Sequence, residues 1–567
     1  MTDYVVPREQ RLGKGTYGNV YASNHPNYVS KVFDYLKDGI HELAFLHRLN
    51  YHPANGNHLQ LHSIIYRKNG EVWIEDPSGK KTALDEELPE DGMVINMCKY
   101  DCTLNLFNHQ LQLKVHKWPL KMILFELFKS YDNLYQNFIV HGDVKLDNVL
   151  VRKRRGYLGM RNFEVVLCDF SLSFFQMGDM KGQFQSRDLQ YIQTINYRAP
   201  ELILGGSEDN EVHLNYKIDI WSMGIIIYKL LTGNDYFRGR NVQAQVNHMC
   251  RFFGHAAVSK YCSEKGLKVK LPEKNYRCQK SNIIRDLTSK NDPDLVDLLD
   301  RMLELDDNSR ISLKGIFEHR YFSESSLIYP YRERDSRLHL DEYFRWNPVS
   351  PNYRETGFDR IEWFIRINSF VLSMQYPVTY VFKTIYLFDH FVSNDVDGMH
   401  DQYDHRLIFL AILKILGDYR FGTDDLLALV VHADGMNAKK LRATFIEVYD
   451  LLLLQLKRHV GMPCYLDYLS TDACANFKLN RSENAWWILV LIMADIRHYG
   501  IGDKSDITDF LMDVENQRLE LSKNKNHARL LDMLDVQQNL HHCCDLMENR
   551  ITTYLKELPY RVKGETL

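Results

Sequence analysis

His141-Gly142-Asp143-Val144-Lys145-Leu146-Asp147-Asn148 is the stretch on which the reading of this chain turns. A His, an Asp, a Lys and an Asn stand in fixed spacing at 141, 143, 145 and 148. Asp169-Phe170-Ser171 begins 21 residues after Asn148, and Ala199-Pro200-Glu201 begins 30 residues after Asp169. Upstream lie Gly13-Lys-Gly15-Thr-Tyr-Gly18-Asn-Val20, then Lys31 within VSKVF, then Glu42. Each piece alone has a plain reading. A lone Gly-x-Gly-x-x-Gly is a turn-rich loop as often as a phosphate cradle. A lone lysine is solvated, and a lone glutamate is a helix surface charge. Their joint order is what carries information.

The patterning around these residues is α+β. Residues 1–100 read as strands at 17–22, 28–34, 62–67, 70–75 and 93–97, rich in Val, Ile and Tyr. Between them Asp38 to Leu49 has helical spacing, with Ile40, Leu43, Leu46 and Leu49 on one side. Residues 101–325 are mainly helical, as in Leu104 to Tyr135 and Ile218 to Leu231, with short strands near 139–151 and 163–170. A small β-rich lobe (1–100) thus precedes a larger α-rich lobe (101–325). Residues 326–357, with Pro330, Pro348 and Pro351, read as a linker. From 358 to 567 apolar stripes recur at helical spacing, in 359–373, 376–393, 405–417, 423–433, 438–457 and 483–499, which predicts a separate all-α domain.

Composition sets the outer bounds. With 567 residues, 45% hydrophobic and 25% charged, the chain is neither fibrous nor wholly disordered. Its 70 Lys+Arg against 74 Asp+Glu give −4, so no global basic field points to nucleic acid. The longest apolar run, Trp486 to Ala494, is too short for a membrane span, and the N-terminus lacks a secretory pattern. Ten cysteines at this length suit reduced thiols and an intracellular setting, cytoplasmic or nuclear. His541-His542-Cys543-Cys544 reads as solvated helix surface, because adjacent helical side chains diverge and no second cluster completes four ligands. Arg152-Lys153-Arg154-Arg155 reads as a solvated hairpin turn between Val151 and Phe163, or as a nuclear signal.

The ordered motifs resemble the eukaryotic protein kinase signature over about residues 8–325, implying a bilobal kinase fold with ATP and Mg²⁺ as cofactors. On that resemblance Gly13, Gly15 and Gly18 let a backbone hairpin lie over phosphates without Cβ clashes, and Val20 follows in the nucleotide site. Lys31 holds the α- and β-phosphates, oriented by Glu42. Asp143 takes the proton of the substrate hydroxyl, and Lys145 steadies the γ-phosphate. Asn148 and Asp169 hold Mg²⁺ through oxygen atoms. Met97 is placed at the back of the nucleotide pocket, with Cys98 to Tyr100 as the hinge.

GKGTYGNVY, TINYRAPELILGG, YKIDIWSMGIII and DDNSRISLKGIFEHRYF are similar to cyclin-dependent kinases and their close relatives. The resemblance implies that Asp219 pins the catalytic-loop backbone and that Arg310 pairs with Glu201. Thr194 favours Ser/Thr substrates, and Arg198 suggests a Pro after the target residue. Thr16 and Tyr17 match an inhibitory phosphorylation pair, and they also suit simple loop packing. Three arginines that gather an activation-loop phosphate in that family are absent: His41, Gly142 and the neighbourhood of Phe174 stand in their places. The phosphorylated threonine is missing too, with Leu189 near its place and Ser186 the nearest hydroxyl. A phosphate without an arginine cluster has little to order, so activity is expected to be independent of activation-loop phosphorylation. Ser171 replaces a glycine at a place that favours backbone freedom.

In the helical region, Asp359-Arg360-Ile-Glu-Trp363 and Tyr380 to Phe391, ending Asp389-His390-Phe391, resemble a cyclin box over about 358–470. Leu407 to Tyr419 and Leu441 to Leu456 match its third and fifth helices, and Pro463 with Tyr465 to Leu469 opens the second half. The family's Lys–Glu pair is out of register, with Lys414 and Glu447 or Asp450 nearby. Residues 471–567, including Trp486 to Arg497, match a degenerate second repeat. The implied reading is a Ser/Thr kinase acting on protein substrates and fused to its own cyclin-like activator, an economy that would suit a large DNA virus. The alternative is a non-catalytic kinase-fold scaffold whose helical part recruits partner proteins.

Overall fold

The computed structural model describes residues 6–323 apart from 16, 52–56, 69, 78, 86–87, 89–91, 112–116, 156–160, 176–181, 186–191 and 207–209. Beyond these it describes 367, 370–371, 379–394, 402–417, 421–434 and 438–456. Thr16, Ser186 and Leu189 lie outside the described residues, as do the linker 326–357, the first cyclin-box motif, residues 471–567 and the His541–Cys544 cluster. The chain divides into two compact units, Met1–Gln176 with Lys181–Arg334, and Asp335–Leu567 with Met177–Met180.

The first unit opens with a seven-stranded antiparallel sheet of order β1-β2-β3-β7-β4-β5-β6. Its strands are β1 (Pro7–Lys14), β2 (Asn19–Ser23), β3 (Tyr28–Phe33), β4 (Leu61–Lys68), β5 (Glu71–Glu75), β6 (Lys81–Leu84) and β7 (Met93–Cys98). β1 and β6 were not read from sequence: PREQRLGK and KTAL lack a run of β-formers, and pairing to β2 and β5 makes them strands. The central strands carry the core, and β7 is buried along all but its last residue. Helix α1 (Leu36–Tyr51) buries Ile40, Leu43, Leu46 and Leu49, as its 3.6-residue period requires. It lies so close to β7 that a Cβ on Gly39 would fall 2.7 Å from Met93 Sδ.

The larger lobe begins with β8 (Cys102–Thr103), α2 (Leu104–Leu111) and α3 (Lys117–Gln136), in the stretch read as helical. β9 (Ile139–Val140) leads into the motif loop, whose end forms a 3₁₀ turn, Leu146–Asn148. β10 (Val149–Arg155) and β11 (Arg161–Leu167) pair from Val149↔Leu167 to Arg155↔Arg161. Arg152 to Arg155 therefore lie in a strand, not in the turn: cross-strand pairing outweighs the charge run. β12 (Phe174–Phe175) pairs with β9, and β13 (Gly182–Gln185) pairs with β14 (Glu211–Leu214). The helices that follow are α4 (Pro200–Gly205), α5 (Lys217–Thr232), α6 (Val242–Phe253), α7 (His255–Glu264), α8 (Lys280–Lys290), α9 (Pro293–Met302), α10 (Leu313–Phe317) and α11 (Arg320–Ser323). α5 is apolar nearly all round and is the buried axis of this lobe. It stops at Gly233, whose φ of 74° suits a glycine, and whose N–H caps Lys229 C=O.

In the second unit the described helices are α12 (Thr379–Asn394), α13 (His405–Gly417), α14 (Thr423–Asp434) and α15 (Ala438–Leu456). α13 is the central one, buried from Leu407 to Leu413 and packed by α12, α14 and α15. Among the described residues no helix is long and apolar enough to cross a membrane.

Candidate active site

The β1–β2 hairpin is closed by Gly15 N–H donating to Gly18 C=O at 2.9 Å. A Cβ on Gly15 would sit 2.7 Å from that oxygen, and one on Gly18 would sit 2.9 Å from Val32 C=O. Protein packing thus demands glycine at these two positions. Gly13 is different, since its nearest neighbour would be Val20 Cβ at 3.9 Å. Val20 lies opposite Lys31 in the β2–β3 ladder. Tyr17, at the tip, is exposed.

Lys31 on β3 is 5% exposed, and its Nζ sits 2.5 Å from Glu42 Oε2 and 2.9 Å from Asp169 Oδ1. Glu42 comes from α1 and Asp169 from the segment after β11, so strand, helix and loop converge on one ammonium. Burial works against the charge on Lys31, but the two carboxylates outweigh it and hold the ammonium well above its ordinary range. Burial, aided by the Asp169 charge, pushes Glu42 up to about 7 despite Lys31, and its second oxygen has no hydrogen-bond partner among the described residues. Asp169 is less enclosed than Glu42. Burial raises it, yet Lys31 and a hydrogen bond from Ser171 Oγ hold it at about 2. Asp169 takes a φ of 67°, a left-handed conformation that a non-glycine residue adopts at a cost.

Asp143 is enclosed by donors. Its Oδ1 accepts from Thr194 N–H at 2.9 Å and Thr194 Oγ1 at 2.7 Å. Its Oδ2 accepts from Lys145 Nζ at 2.5 Å and Asn148 Nδ2 at 3.1 Å. Lys145 also reaches Thr194 Oγ1 at 3.1 Å. Asn148 uses Nδ2 again for Asp143 C=O, which leaves its amide oxygen to accept elsewhere.

The loop is suspended from Asp219 on α5. That fully buried carboxylate accepts from His141 N–H at 2.7 Å, Gly142 N–H at 3.1 Å and Tyr131 Oη at 2.9 Å. Burial raises its pKa despite these donors. Gly142 has a φ of 72°, and a Cβ there would lie 2.4 Å from Leu172 C=O. Gln193 was not singled out from sequence, yet it ties the site together. Its N–H donates to Gly142 C=O, its Nε2 to Ile218 C=O, and its Oε1 accepts from Ala199 N–H. Its φ of 62° leaves no mark in sequence. Arg198 Nε donates to Gln193 C=O at 2.8 Å. Farther out, Arg310 grips Glu201 with two nitrogens at 2.8 and 3.0 Å.

Met97 is buried on β7 opposite Val29, and Tyr100 follows the strand with 8% exposure. Asn148 and Asp169 bring a neutral amide oxygen and an ionised carboxylate, both hard donors suited to a divalent cation. Among the described residues no group of three or more His, Cys, Asp or Glu forms a separate metal cluster. At the places of the three absent arginines, His41 stacks edge-on to Phe45, and Phe175, beside Phe174, stacks on Phe45 at 4.6 Å.

The family described as Protein kinase domain matches residues 6–322, more than half of the chain. Mitogen-activated protein kinase hog1 of Aspergillus clavatus is 28% identical over 237 residues, covering 41% of this chain and 56% of the relative. Mitogen-activated protein kinase sty1 of Schizosaccharomyces pombe is 26% identical over 260 residues, covering 45% and 64%. The MAPK/MAK/MRK overlapping kinase of Homo sapiens is 26% identical over 362 residues, covering 60% and 72%. The chain thus spans 56–64% of the first two relatives' length. A chain in the solved CAK complex of Chaetomium thermophilum bound to ATP-gamma-S superposes with a TM-score of 0.40 and 23% identity, covering 57% of this chain and 93% of that one. Through residues 6–322, this chain belongs to the protein kinase family.

Proposed function

We propose that the chain is a Ser/Thr protein kinase using ATP and Mg²⁺, activated in cis by its helical C-terminal domain and independent of activation-loop phosphorylation. The observation that carries the reading is the assembly of both halves of the site: Lys31 between Glu42 and Asp169, and Asp143 within reach of Lys145, Asn148 and Thr194. In this reading Gly13, Gly15, Gly18 and Val20 line the nucleotide site under the β1–β2 hairpin. Lys31 binds phosphate oxygens, and Glu42 keeps it aimed. Met97 and Tyr100 border the base. Asn148 and Asp169 hold Mg²⁺. Bound MgATP supplies the phosphoryl group and much of the charge neutralisation. Asp143 orients the substrate hydroxyl and takes up its proton, while Lys145 counters charge beside it. Thr194, bonded to both Asp143 and Lys145, favours Ser/Thr substrates, and Arg198 favours a following proline.

Phosphate independence is supported by what occupies the arginine positions. Gly142 has neither the side chain nor the room for one, and an aromatic stack joins α1 to the segment after Asp169. The cis activator reading is supported by the cyclin-box resemblance and by the buried helix α13 at the place of the box's third helix. Tethering raises the activator's effective concentration to about the millimolar range.

The test is phosphate transfer from ATP to a generic Ser/Thr-Pro substrate by protein made in bacteria and treated with phosphatase. Activity that survives phosphatase and vanishes in Asp143→Asn supports the reading. Activity that requires a restored phosphate, or persists in Asp143→Asn, overturns it. Deleting 345–567 lowers activity by a large factor if the helical domain activates, and leaves it intact if that domain only recruits.

A further inference from the structure

The segment after β7 is tied down almost completely. Cys98 N–H donates to Gln60 C=O, Lys99 N–H to Asn27 C=O at 2.8 Å, and Asp101 N–H to Val151 C=O at 3.1 Å. Lys99 C=O accepts from Arg152 Nη2 at 2.5 Å. Asp101 Oδ2 accepts from Lys153 N–H at 2.8 Å. Tyr100 is the exception: among the described residues its backbone N–H and C=O have no partner, while its side chain is fixed. Its hydroxyl donates to Glu164 Oε1 at 2.9 Å, and the Arg152 guanidinium lies over its ring at 4.2 Å. Arg152 completes the triangle, 3.5 Å from Glu164 Oε2.

These partners come from one place. Arg152 and Glu164 face each other across the β10–β11 ladder, so the long basic hairpin delivers both. Glu164 and Tyr100 are 7% and 8% exposed. A buried carboxylate between a phenol and a guanidinium is restrained, because losing the phenol costs it a hydrogen-bond donor and losing the guanidinium leaves its charge uncompensated. Burial and Glu164 raise the phenol's pKa far above its ordinary value, so it remains a donor.

We propose that Arg152 and Glu164 form a clamp that positions the Tyr100 backbone as the donor and acceptor pair for the purine base of the nucleotide, making them positioning residues for nucleotide affinity. The inference rests on the kinase reading of the site. The clamp grips side chain and neighbouring carbonyl while leaving the Tyr100 peptide groups free for a ligand. A hinge held in this way loses little conformational freedom on binding.

The experiment uses the full chain and MgATP. Direct calorimetric binding is measured first, then steady-state kinetics for ATP and for peptide, with Arg152→Met, Arg152→Lys and Glu164→Gln. Arg152 is partly exposed, so Arg152→Met removes the fork and charge with little threat to folding. The expected result is an ATP Kd and KM roughly tenfold higher in Arg152→Met and Glu164→Gln, with kcat and the peptide KM within about twofold, and partial recovery in Arg152→Lys. Unchanged ATP affinity in both variants overturns the clamp while leaving the kinase reading intact. Equal losses in kcat, peptide KM and melting temperature mean a merely structural hairpin and also overturn it. Failure of the unaltered chain to bind MgATP overturns the kinase reading and the clamp with it.

Discussion

Arg310→Met should destabilise the kinase unit by about 4 kcal/mol, and the structure sets that figure. Arg310 is 1% exposed. Its two terminal nitrogens hold both oxygens of Glu201, at 2.8 and 3.0 Å, and also donate to Lys217 C=O at 2.7 Å and Glu304 C=O at 3.0 Å. The guanidinium lies 5.3 Å from the Trp221 ring. Removing one partner of a buried ion pair costs about 3–5 kcal/mol, mostly by stranding the other charge. Each carbonyl that loses its donor adds about 1 kcal/mol, and the methionine stem over Trp221 returns part of the loss. A domain has only about 5–15 kcal/mol in total.

At about 2–4 °C per kcal/mol, the transition should fall by roughly 8–16 °C in thermal melting of the full chain. The double variant Glu201→Met with Arg310→Met removes both charges. It should recover at least half of the single-variant loss, since apolar replacement of a buried pair is often near neutral. A single-variant loss under about 1 kcal/mol would refute the stranded-charge account. So would a double variant whose loss equals the sum of the singles.

Three further outcomes follow from other parts of the structure. Gly142→Ala should cost about 1–3 kcal/mol, because φ is 72° and the new Cβ meets Leu172 C=O at 2.4 Å; an unchanged melting temperature would contradict this. Phe175→Ala should raise the ATP KM or lower kcat by roughly 2- to 10-fold, since an aromatic pair is worth about 0.5–1.5 kcal/mol, and kinetics identical to the parent would count against the stack. His390 on α12 is buried, and burial lowers its ring to about 4. The folded state therefore binds fewer protons than the unfolded state between about 4 and 6.5, so this residue's stabilisation is present above 6.5 and fades as pH falls toward 4. Ring resonances followed by NMR should titrate near 4; a midpoint near 6.5 would show an accessible ring.

The proposed catalytic groups were legible because chemistry restricts them. Lys31, Glu42, Asp143, Lys145, Asn148 and Asp169 each need a particular charge or oxygen donor, and their order survives on one line of sequence. α1 and β7 were legible because burial imposes a period. What stayed hidden depends on partners far along the chain. Gln193 holds Gly142, Ile218 and Ala199 together, but a glutamine in a loop carries no pattern. Arg152 looked like part of a solvated charge run, because nothing nearby reveals that Tyr100 and Glu164 await it. β6 exists through its pairing to β5 rather than through its own residues. Motif spacing also hides which glycines the protein itself requires: Gly15 and Gly18 are fixed by backbone contacts, whereas Gly13 meets nothing closer than 3.9 Å.

The missing arginines are best understood as one change rather than three. An arginine cluster closed by phosphate links the helix carrying Glu42, the catalytic loop and the segment after Asp169 through charge, and charge can be added or removed. Here the same three elements are linked by contacts within the protein itself. Asp219 holds the loop by backbone N–H donors, and glycine takes the left-handed turn at position 142 at no steric cost. Phe45 joins α1 to Phe170 and Phe175 by ring stacking, with centroids 6.2 and 4.6 Å apart. Apolar contact of this kind is always present, so it cannot serve as a switch. In the proposed phosphate-independent kinase, glycine at position 142 fits a loop that is held by Asp219 rather than by an arginine–phosphate contact. If the proposed cis activation holds, control would act through the position of α1, which carries Glu42 toward Lys31.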